Sequence, residues 1–405
     1  MVERGSERGS ERPADRLGVL VLNQISASGL SRLPATTYRV GKEITNPAAL
    51  LLRSADLHGV TIAASVRAIG RAGAGTNNIP VEAMSQRGVP VFNAPGANAN
   101  AVKELVLTGM LLAARQIAPA LRFVATLDVT APELDKVVED GKKAFAGYEL
   151  AGQTLGVIGL GKIGCLVADA AIKLGMNVLG FDPEITVDAA WSLPSQVRRA
   201  ASVNDVLKNS QFVTLHVPLV DATRHLVNDA NIGLMRAGSV LLNFSREGVV
   251  SDSAVLDALD SGHLGQYVCD FPGAALHGQP QVVALPHLGA STREAEENCA
   301  VMVVDQLRDY LEHGNVSNAV NFPQVSMPRE SAYRLAIANA NVPNMLGQIS
   351  TAMAQAGLNI HNMVNKSRGG MAYTLVDVDS PVTPEVQAGI AAIHGVLAVR
   401  YLPAA

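Results

Sequence analysis

From Leu17 to His287 short, almost unbroken apolar runs alternate with stretches whose apolar residues recur at helical spacing. Runs of that kind are strands buried on both faces, as in a parallel sheet covered by helices. The first series lies between Leu17 and about Ala94. LGVLVLN is a strand, LLRSAD closes another, VRAIGRAG leads into the turn TNNIP, Val81 to Arg87 is a short helix, and VPVFNAP is a strand. A long helical pattern then starts near Asn98, passes through VKELVLTGMLLAARQ and continues as helix to about Val137. A second series follows, with strands in TLGVIG, Met176–Phe181, FVTLHVPL, SVLLNFS, YVCDFP and VVALPH.

The rhythm changes near the end of the chain. A helix from Arg293 to Leu311 stops at Gly314, and a Pro- and Asn-bearing stretch to Pro328 has the composition of a linker. From Tyr333 to Leu402 the order is strand (RLAIANA), helix (MLGQISTAMAQAG), hairpin about Gly369 and Gly370, helix (PEVQAGIAAIHG) and strand (VLAVRYL). That βαββαβ order predicts a small ferredoxin-like module.

One strand ends in a glycine triplet, TLGVIGLGKIG, and a helical pattern begins at once. Gly159 permits the tight turn, Gly161 lets a pyrophosphate approach the backbone, and Gly164 lets the helix pack on the sheet. The helix N-terminus presents unpaired N–H groups and a partial positive charge to phosphates. The next strand ends on Asp182, about 20 residues after the glycines, the spacing at which a carboxylate takes both ribose hydroxyls and repels a 2′-phosphate. NAD is therefore expected as cofactor, in preference to NADP.

Two further side chains follow strands, where a doubly wound sheet faces its ligand crevice. Arg246 in NFSREG can hold a carboxylate bidentately and stays charged at any working pH, or it is a surface cation. His287 in PHLGAST can exchange a proton with a substrate hydroxyl near neutral pH, or it is a satisfied core histidine. The first series offers anion binders: Arg53 and Ser54 in LLRSAD, the backbone of Ala74 and Gly75, and Asn98 near a helix start. Asn98 has the alternative of simply capping that helix.

The totals narrow the partners. With 405 residues there is room for two or three domains, and 48% hydrophobic against 17% charged residues describes a packed chain. A net charge of −4 argues against a nucleic-acid or anionic-membrane surface. Cys165, Cys269 and Cys299 are scattered without paired or metal-ligand spacing, so neither disulfides nor a metal site is expected, and the compartment implied is a reducing cytoplasm. No apolar run reaches the length of a membrane span, and no signal-peptide core is evident. The charged repeat ERGSERGSER within residues 1–16 is expected to be a disordered tail.

Taken together, LLRS, RAGAGTNNIP, FNAPGANANAVKELV, GLGKIG with Asp182, LHVPL, NFSREG and PHLGAST resemble the NAD-dependent D-2-hydroxyacid dehydrogenases. Within them the likeness is to the phosphoglycerate dehydrogenases, and it covers nearly everything from Leu17 onward. The fold this resemblance implies is α/β: a Rossmann-type doubly wound parallel sheet (98–290) inserted in a smaller flavodoxin-like substrate domain (17–97 and 291–327). The C-terminal module (332–405) looks like an ACT domain, a ligand-sensing fold. By position, Arg246 would grip the substrate carboxylate and His287 would take the hydroxyl proton. Lys162, Ile163, His216, Val217, Pro218, Ser245 and Asp270 would join the glycines and Asp182 around NAD. Arg53, Ser54, Ala74, Gly75 and Asn98 would bind the phosphate of a small phosphorylated 2-hydroxy acid. The reaction implied is oxidation of 3-phospho-D-glycerate to 3-phosphohydroxypyruvate at the start of serine biosynthesis. Alternatives are another 2-hydroxy acid, such as 2-hydroxyglutarate, or a regulator that senses NAD without catalysis. A homo-oligomer is also implied, a dimer through nucleotide domains or a tetramer through sheet edges.

Two departures from the family pattern stand out. The Glu that usually hydrogen-bonds the catalytic His is replaced, and Ala274 in CDFPGAALHGQP holds the nearest position. Asp270 is the only carboxylate between Gly262 and His287, so it serves the nicotinamide carboxamide, the imidazole, or neither. In the module, the family's serine-binding positions fall on Asn339, Asn341, Asn344 and Asn359; Asn341 and Asn359 match, while the family's His and turn Gly do not. Asn tolerates positive φ, which keeps the turn, and with it a serine effector, open.

Overall fold

The computed structural model describes residues 16–128, 130 and 133–404. The expected tail, except Arg16, lies outside the described residues. The chain divides into two compact units, Met1–Ala97 with Glu296–Ala405, and Asn98–Ala295.

The first unit opens with five strands: β1 (Leu17–Val21), β2 (Tyr38–Gly41), β3 (Ala49–Leu52), β4 (Ala68–Arg71) and β5 (Val91–Phe92). All run parallel in the order β2-β1-β3-β4-β5, the flavodoxin-like arrangement.

The second unit holds β6 (Thr154–Ile158), β7 (Asn177–Phe181), β8 (Arg198–Arg199), β9 (Phe212–Leu215), β10 (Ser239–Asn243), β11 (Leu264–Cys269) and β12 (Val282–Ala284). They form one parallel sheet in the order β12-β11-β10-β9-β6-β7-β8, which reverses direction between β6 and β9. Neighbouring residues of a strand serve opposite faces: Leu241 packs into one apolar cluster while Val240 and Leu242 pack into the other. Helices cover both faces, which is why the inner strands β6, β9 and β10 are almost wholly buried, whereas the edge strand β8 is exposed. The switch point between β6 and β9 is where such a sheet leaves a crevice at its strand carboxyl ends.

The last part of the first unit is the small module: β13 (Tyr333–Ala340), β14 (Ile360–Arg368), β15 (Met371–Val378) and β16 (Val396–Pro403), antiparallel in the order β14-β15-β13-β16. With helices Met345–Gln355 and Pro384–Ala391 it completes the expected βαββαβ order. Leu335, Ile337, Val376 and Val378 face those helices. Ala336, Ala338, Tyr373, Leu375 and Leu402 face the other way, into the same apolar interior as β1, β3 and residues 299–311 of the long helix Arg293–His313. The module thus shares a core with the flavodoxin-like sheet.

Arginines fasten that junction. Arg334 is fully buried; its Nε and Nη2 donate to Asp377 at 2.6 and 2.8 Å, and its other hydrogens go to the carbonyls of His313, Met327 and Pro328. Arg400 donates to the carbonyls of Tyr310 and Leu311 and lies 4.5 Å from the Tyr310 ring centroid. The Tyr373 hydroxyl donates to the Gly314 carbonyl at 2.8 Å. The last carbonyls of a helix lack a full set of intrahelical partners, and these side chains donate to those of Leu311 and His313 and give that of Tyr310 a second donor.

Candidate active site

The strand-to-helix turn after β6 has the geometry its glycines require. Gly159 adopts φ +93°, and a Cβ there would stand 2.4 Å from the His216 carbonyl oxygen. A Cβ on Gly164 would stand 2.0 Å from the Gly159 oxygen, so the helix Lys162–Lys173 can approach only with hydrogen at that position. Around Gly161 nothing lies within 4 Å of the missing Cβ, leaving backbone open to a ligand where Lys162 and Ile163 begin the helix.

Asp182 follows β7 and faces this turn: its carboxylate accepts N–H groups from Leu160 at 2.8 Å and Glu184 at 2.9 Å. Each oxygen keeps a further acceptor position, which a ribose diol can use. Across the switch point, His216, Val217 and Pro218 follow β9. Burial pushes the His216 imidazole down to about 3, so it is neutral at physiological pH. Its Nε2 lies 3.0 Å from Thr214 Oγ1, while Nδ1 is buried without a partner. An open glycine turn, a partly occupied acid and an orphaned ring nitrogen at the two sides of one crevice fit a dinucleotide.

Arg246 and His287 follow β10 and β12, which flank β11 in the same sheet. After β10, Asn243 ties the loop: it accepts the Ser245 N–H and hydroxyl and donates to the Arg246 carbonyl. Ser245 is buried by this network, and the Arg246 side chain emerges from it exposed, donating to the Ser245 carbonyl at 2.6 Å. After β11, Asp270 is 1% exposed. Its two oxygens accept the N–H groups of Leu288 and Gly289 at 2.7 and 2.8 Å, and its carbonyl accepts the His287 N–H at 3.0 Å. Burial holds the Asp270 carboxyl above the ordinary carboxylate range, against the pull of those N–H groups and of His287.

Of the roles open to Asp270, the geometry gives it neither the imidazole nor open space: it fixes the backbone that carries His287. That backbone needs fixing, because His287 sits at φ +57°. Its imidazole is exposed and, among the described residues, pairs with no carboxylate. Ala274, in place of the family's Glu, lies on a short turn, Ala274–Leu276. What meets the imidazole is the ring of Phe271, at a centroid distance of 4.5 Å, and the Arg246 Cζ lies 5.9 Å from the centroid of the same ring. Sequence reasoning missed Phe271, since no local pattern distinguishes a ring that stacks on a histidine from one that fills a core.

In the first unit, Arg53 follows β3 and forms an ion pair with Glu296 at 2.6 Å, with Ser54 exposed beside it. Register pairs Leu52 with Arg71, so two guanidinium-bearing residues stand at adjacent strand ends. Arg71 is a candidate anion binder that sequence reasoning passed over; its position closing the run VRAIGR before a glycine-rich turn was the available signal. Gly73 makes room for it, since a Cβ there would stand 2.4 Å from Arg71 Nη1. Ala74 and Gly75 are half-buried in the loop that follows. Asn98, assigned to the second unit, precedes the helix Ala99–Ala114, but its side chain makes no capping hydrogen bond.

Asn339, Asn341 and Asn344 lie at the start of helix Met345–Gln355, whereas Asn359 lies at the other end of the sheet: Ile360 pairs with Val378, while Asn339 pairs with Ala372 at the far end of β15. Asn344 adopts φ +62°, the left-handed conformation that asparagine tolerates. Asn341 donates to the Gly369 carbonyl at 3.1 Å. Asn339 is buried, with its Oδ1 unmatched, while Asn359 is exposed. Among the described residues no single helix is long and apolar enough to cross a membrane.

Comparison with known proteins agrees with this geometry. Residues 107–289 match the family model described as D-isomer specific 2-hydroxyacid dehydrogenase, NAD binding domain. The chain is 33% identical over 359 residues to the D-3-phosphoglycerate dehydrogenase of Escherichia coli strain K12, covering 85% of this chain and 83% of that one. It is 37% identical over 279 residues to the D-3-phosphoglycerate dehydrogenase of Methanocaldococcus jannaschii, a match covering 67% of this chain and half (50%) of that protein's length. Among solved structures, the NAD+-bound 3-phosphoglycerate dehydrogenase of Entamoeba histolytica shares the fold with a TM-score of 0.59 at 22% identity, over 75% of this chain and 98% of that one.

Proposed function

Because the chain belongs to the D-isomer-specific 2-hydroxyacid dehydrogenases, an NAD-using family, we propose that it oxidises 3-phospho-D-glycerate to 3-phosphohydroxypyruvate. The observation that carries this reading is the convergence of Arg246 and His287 on one aromatic ring, in the sheet whose glycine turn fits a dinucleotide. NAD, when bound, supplies the acceptor for the hydride that leaves C2. Arg246 holds the substrate carboxylate through two parallel hydrogen bonds and polarises the C2 oxygen. The His287 imidazole takes the hydroxyl proton as general base. Asp270 keeps the His287 loop in place from beneath. Phosphate recognition falls to Arg53 and Arg71, with Ser54, Ala74 and Gly75. NADH formation from 3-phosphoglycerate tests the reading; no NADH formed, and none consumed with 3-phosphohydroxypyruvate, rejects it.

The Arg53–Glu296 ion pair favours a second reading, in which the substrate is a 2-hydroxy acid without phosphate and Arg53 serves only the fold. Activity that survives Arg53→Ala would select it.

The wider assignments follow the same reading. A serine-like amino acid is proposed as effector at Asn339 and Asn341, on the strength of the partnerless Asn339 Oδ1 and the left-handed Asn344, with Asn359 standing at the other end of the same sheet; serine titration of the activity tests it. A homo-oligomer is proposed because helices Ile117–Ala125 and Leu134–Gly141 bury no residue, and Leu121 is 64% and Val124 59% exposed. The molar mass in solution tests that assignment. Three free, buried cysteines suit a cytoplasmic location.

A further inference from the structure

His287 lacks the acidic partner that the family places against its imidazole, yet a general base must be held in one orientation to work. The backbone is held by Asp270, whose carbonyl accepts the His287 N–H and whose carboxylate accepts the N–H groups of Leu288 and Gly289. Nothing in that arrangement restrains rotation of the ring. The next residue after Asp270 does: Phe271, half-buried, lies against the imidazole with centroids 4.5 Å apart and planes inclined at 48°. The same ring receives the Arg246 guanidinium from the other strand, with Cζ 5.9 Å from its centroid.

We propose that Phe271 is the positioning residue for this site, orienting both the proton acceptor and the carboxylate-binding cation in place of a charged partner. The chemistry suits the role. A π face attracts a cation placed over it, so the ring favours Arg246 at all times and the imidazolium once His287 has taken the proton. A carboxylate in the same place would also pair with Arg246, drawing it away from a substrate carboxylate; a neutral ring orients it without competing for its hydrogen bonds. One side chain thereby couples the two groups that act on C2.

For its rate effects this inference rests on the proposed dehydrogenase reaction, so its test has an arm that does not. Phe271→Leu is expected to lower kcat by about 10- to 100-fold, the cost of a small misplacement of a catalytic group. NAD binding should be unchanged, because no cofactor contact is removed, and Phe271→Tyr, which keeps the ring, should restore most of kcat. With labelled histidine, the His287 ring protons should show an upfield ring-current shift that is lost in Phe271→Leu and kept in Phe271→Tyr; His287→Gln assigns the resonance among the nine histidines. Absence of that shift in the native chain overturns the inference whatever the activity. A native enzyme that turns over, with kcat unchanged in Phe271→Leu, overturns it while leaving the reaction intact. A ring-current shift without turnover of any 2-hydroxy acid rejects the reaction, and with it the positioning role in that reaction.

Discussion

Asp270 in the nucleotide unit and Asp377 in the C-terminal module are both exposed to 1% or less, and they titrate in opposite directions. Burial alone pushes each carboxyl up. At Asp377 the Arg334 guanidinium and the Glu330 N–H more than offset it, and the carboxyl ends below the ordinary range. At Asp270 backbone N–H groups and His287 answer without a contacting counter-ion, and the carboxyl ends above it. A buried acid with its counter-ion in contact is part of the scaffold. A buried acid left without one costs stability, and such sites concentrate where chemistry is done. The arginines show the same division: Arg334 is enclosed by an acid and three carbonyls, whereas Arg246 emerges exposed from its loop.

The contrast can be broken most severely at the catalytic end. His287→Gln should lower kcat by about 10²- to 10⁴-fold, as loss of a general base does, while NAD affinity and thermal stability stay near native. A large loss of stability instead would make His287 a scaffold residue like Arg334. On the scaffold side, Arg334→Met should cost about 3–5 kcal/mol in unfolding measurements, because it strands the Asp377 charge inside the protein. Arg334→Met with Asp377→Leu should recover much of that, since an apolar pair of similar volume removes the stranded charge. If the double variant is no better than the single one, the carbonyl contacts of Arg334 outweigh its ion pair.

Acid sharpens the comparison further. A carboxyl whose folded value is depressed contributes stability above its unfolded value of about 3.9, and that contribution is lost as pH falls toward the folded value. Asp377 should therefore loosen the module as pH falls below about 4. Asp270 has the reverse sign: its raised value makes its contribution decline as pH rises above about 4. Hydrogen exchange followed across that range should show β13 and β15 losing protection on acidification, in wild type but not in the double variant. The smallest effect is expected for Tyr373→Phe, about 1 kcal/mol, for removal of one buried hydrogen bond to the Gly314 carbonyl. Thermal denaturation reads it directly.

How much of this was visible in the sequence depends on how local each feature is. The glycine turn, the strand that ends on Asp182 and the apolar strands of both parallel sheets are short-range patterns and were legible in the sequence, whereas the short edge strands Tyr38–Gly41 and Arg198–Arg199, which carry no apolar run, were not. Arg246 and His287 were singled out because both follow strands, a property of position alone, and the structure places both near the Phe271 ring. The pairing of Arg334 with Asp377 was not legible, although the two are directly opposite in the antiparallel register of β13 and β15, because register is set by tertiary packing. Phe271 was missed for a similar reason: CDFP says nothing about which ring the phenylalanine will touch. Nor could alternation in RLAIANA reveal that its alanines face another sheet's core, since small apolar residues suit either side of a strand.

The interior that the module shares with the flavodoxin-like sheet bears on any attempt to shorten the chain. Cutting at the stretch before Tyr333 would strip Ala336, Ala338, Tyr373, Leu375 and Leu402 from the far side of Val303, Leu307 and Tyr310. What remained would be a protein with an apolar wall turned to water, prone to self-association, rather than the same catalyst released from control.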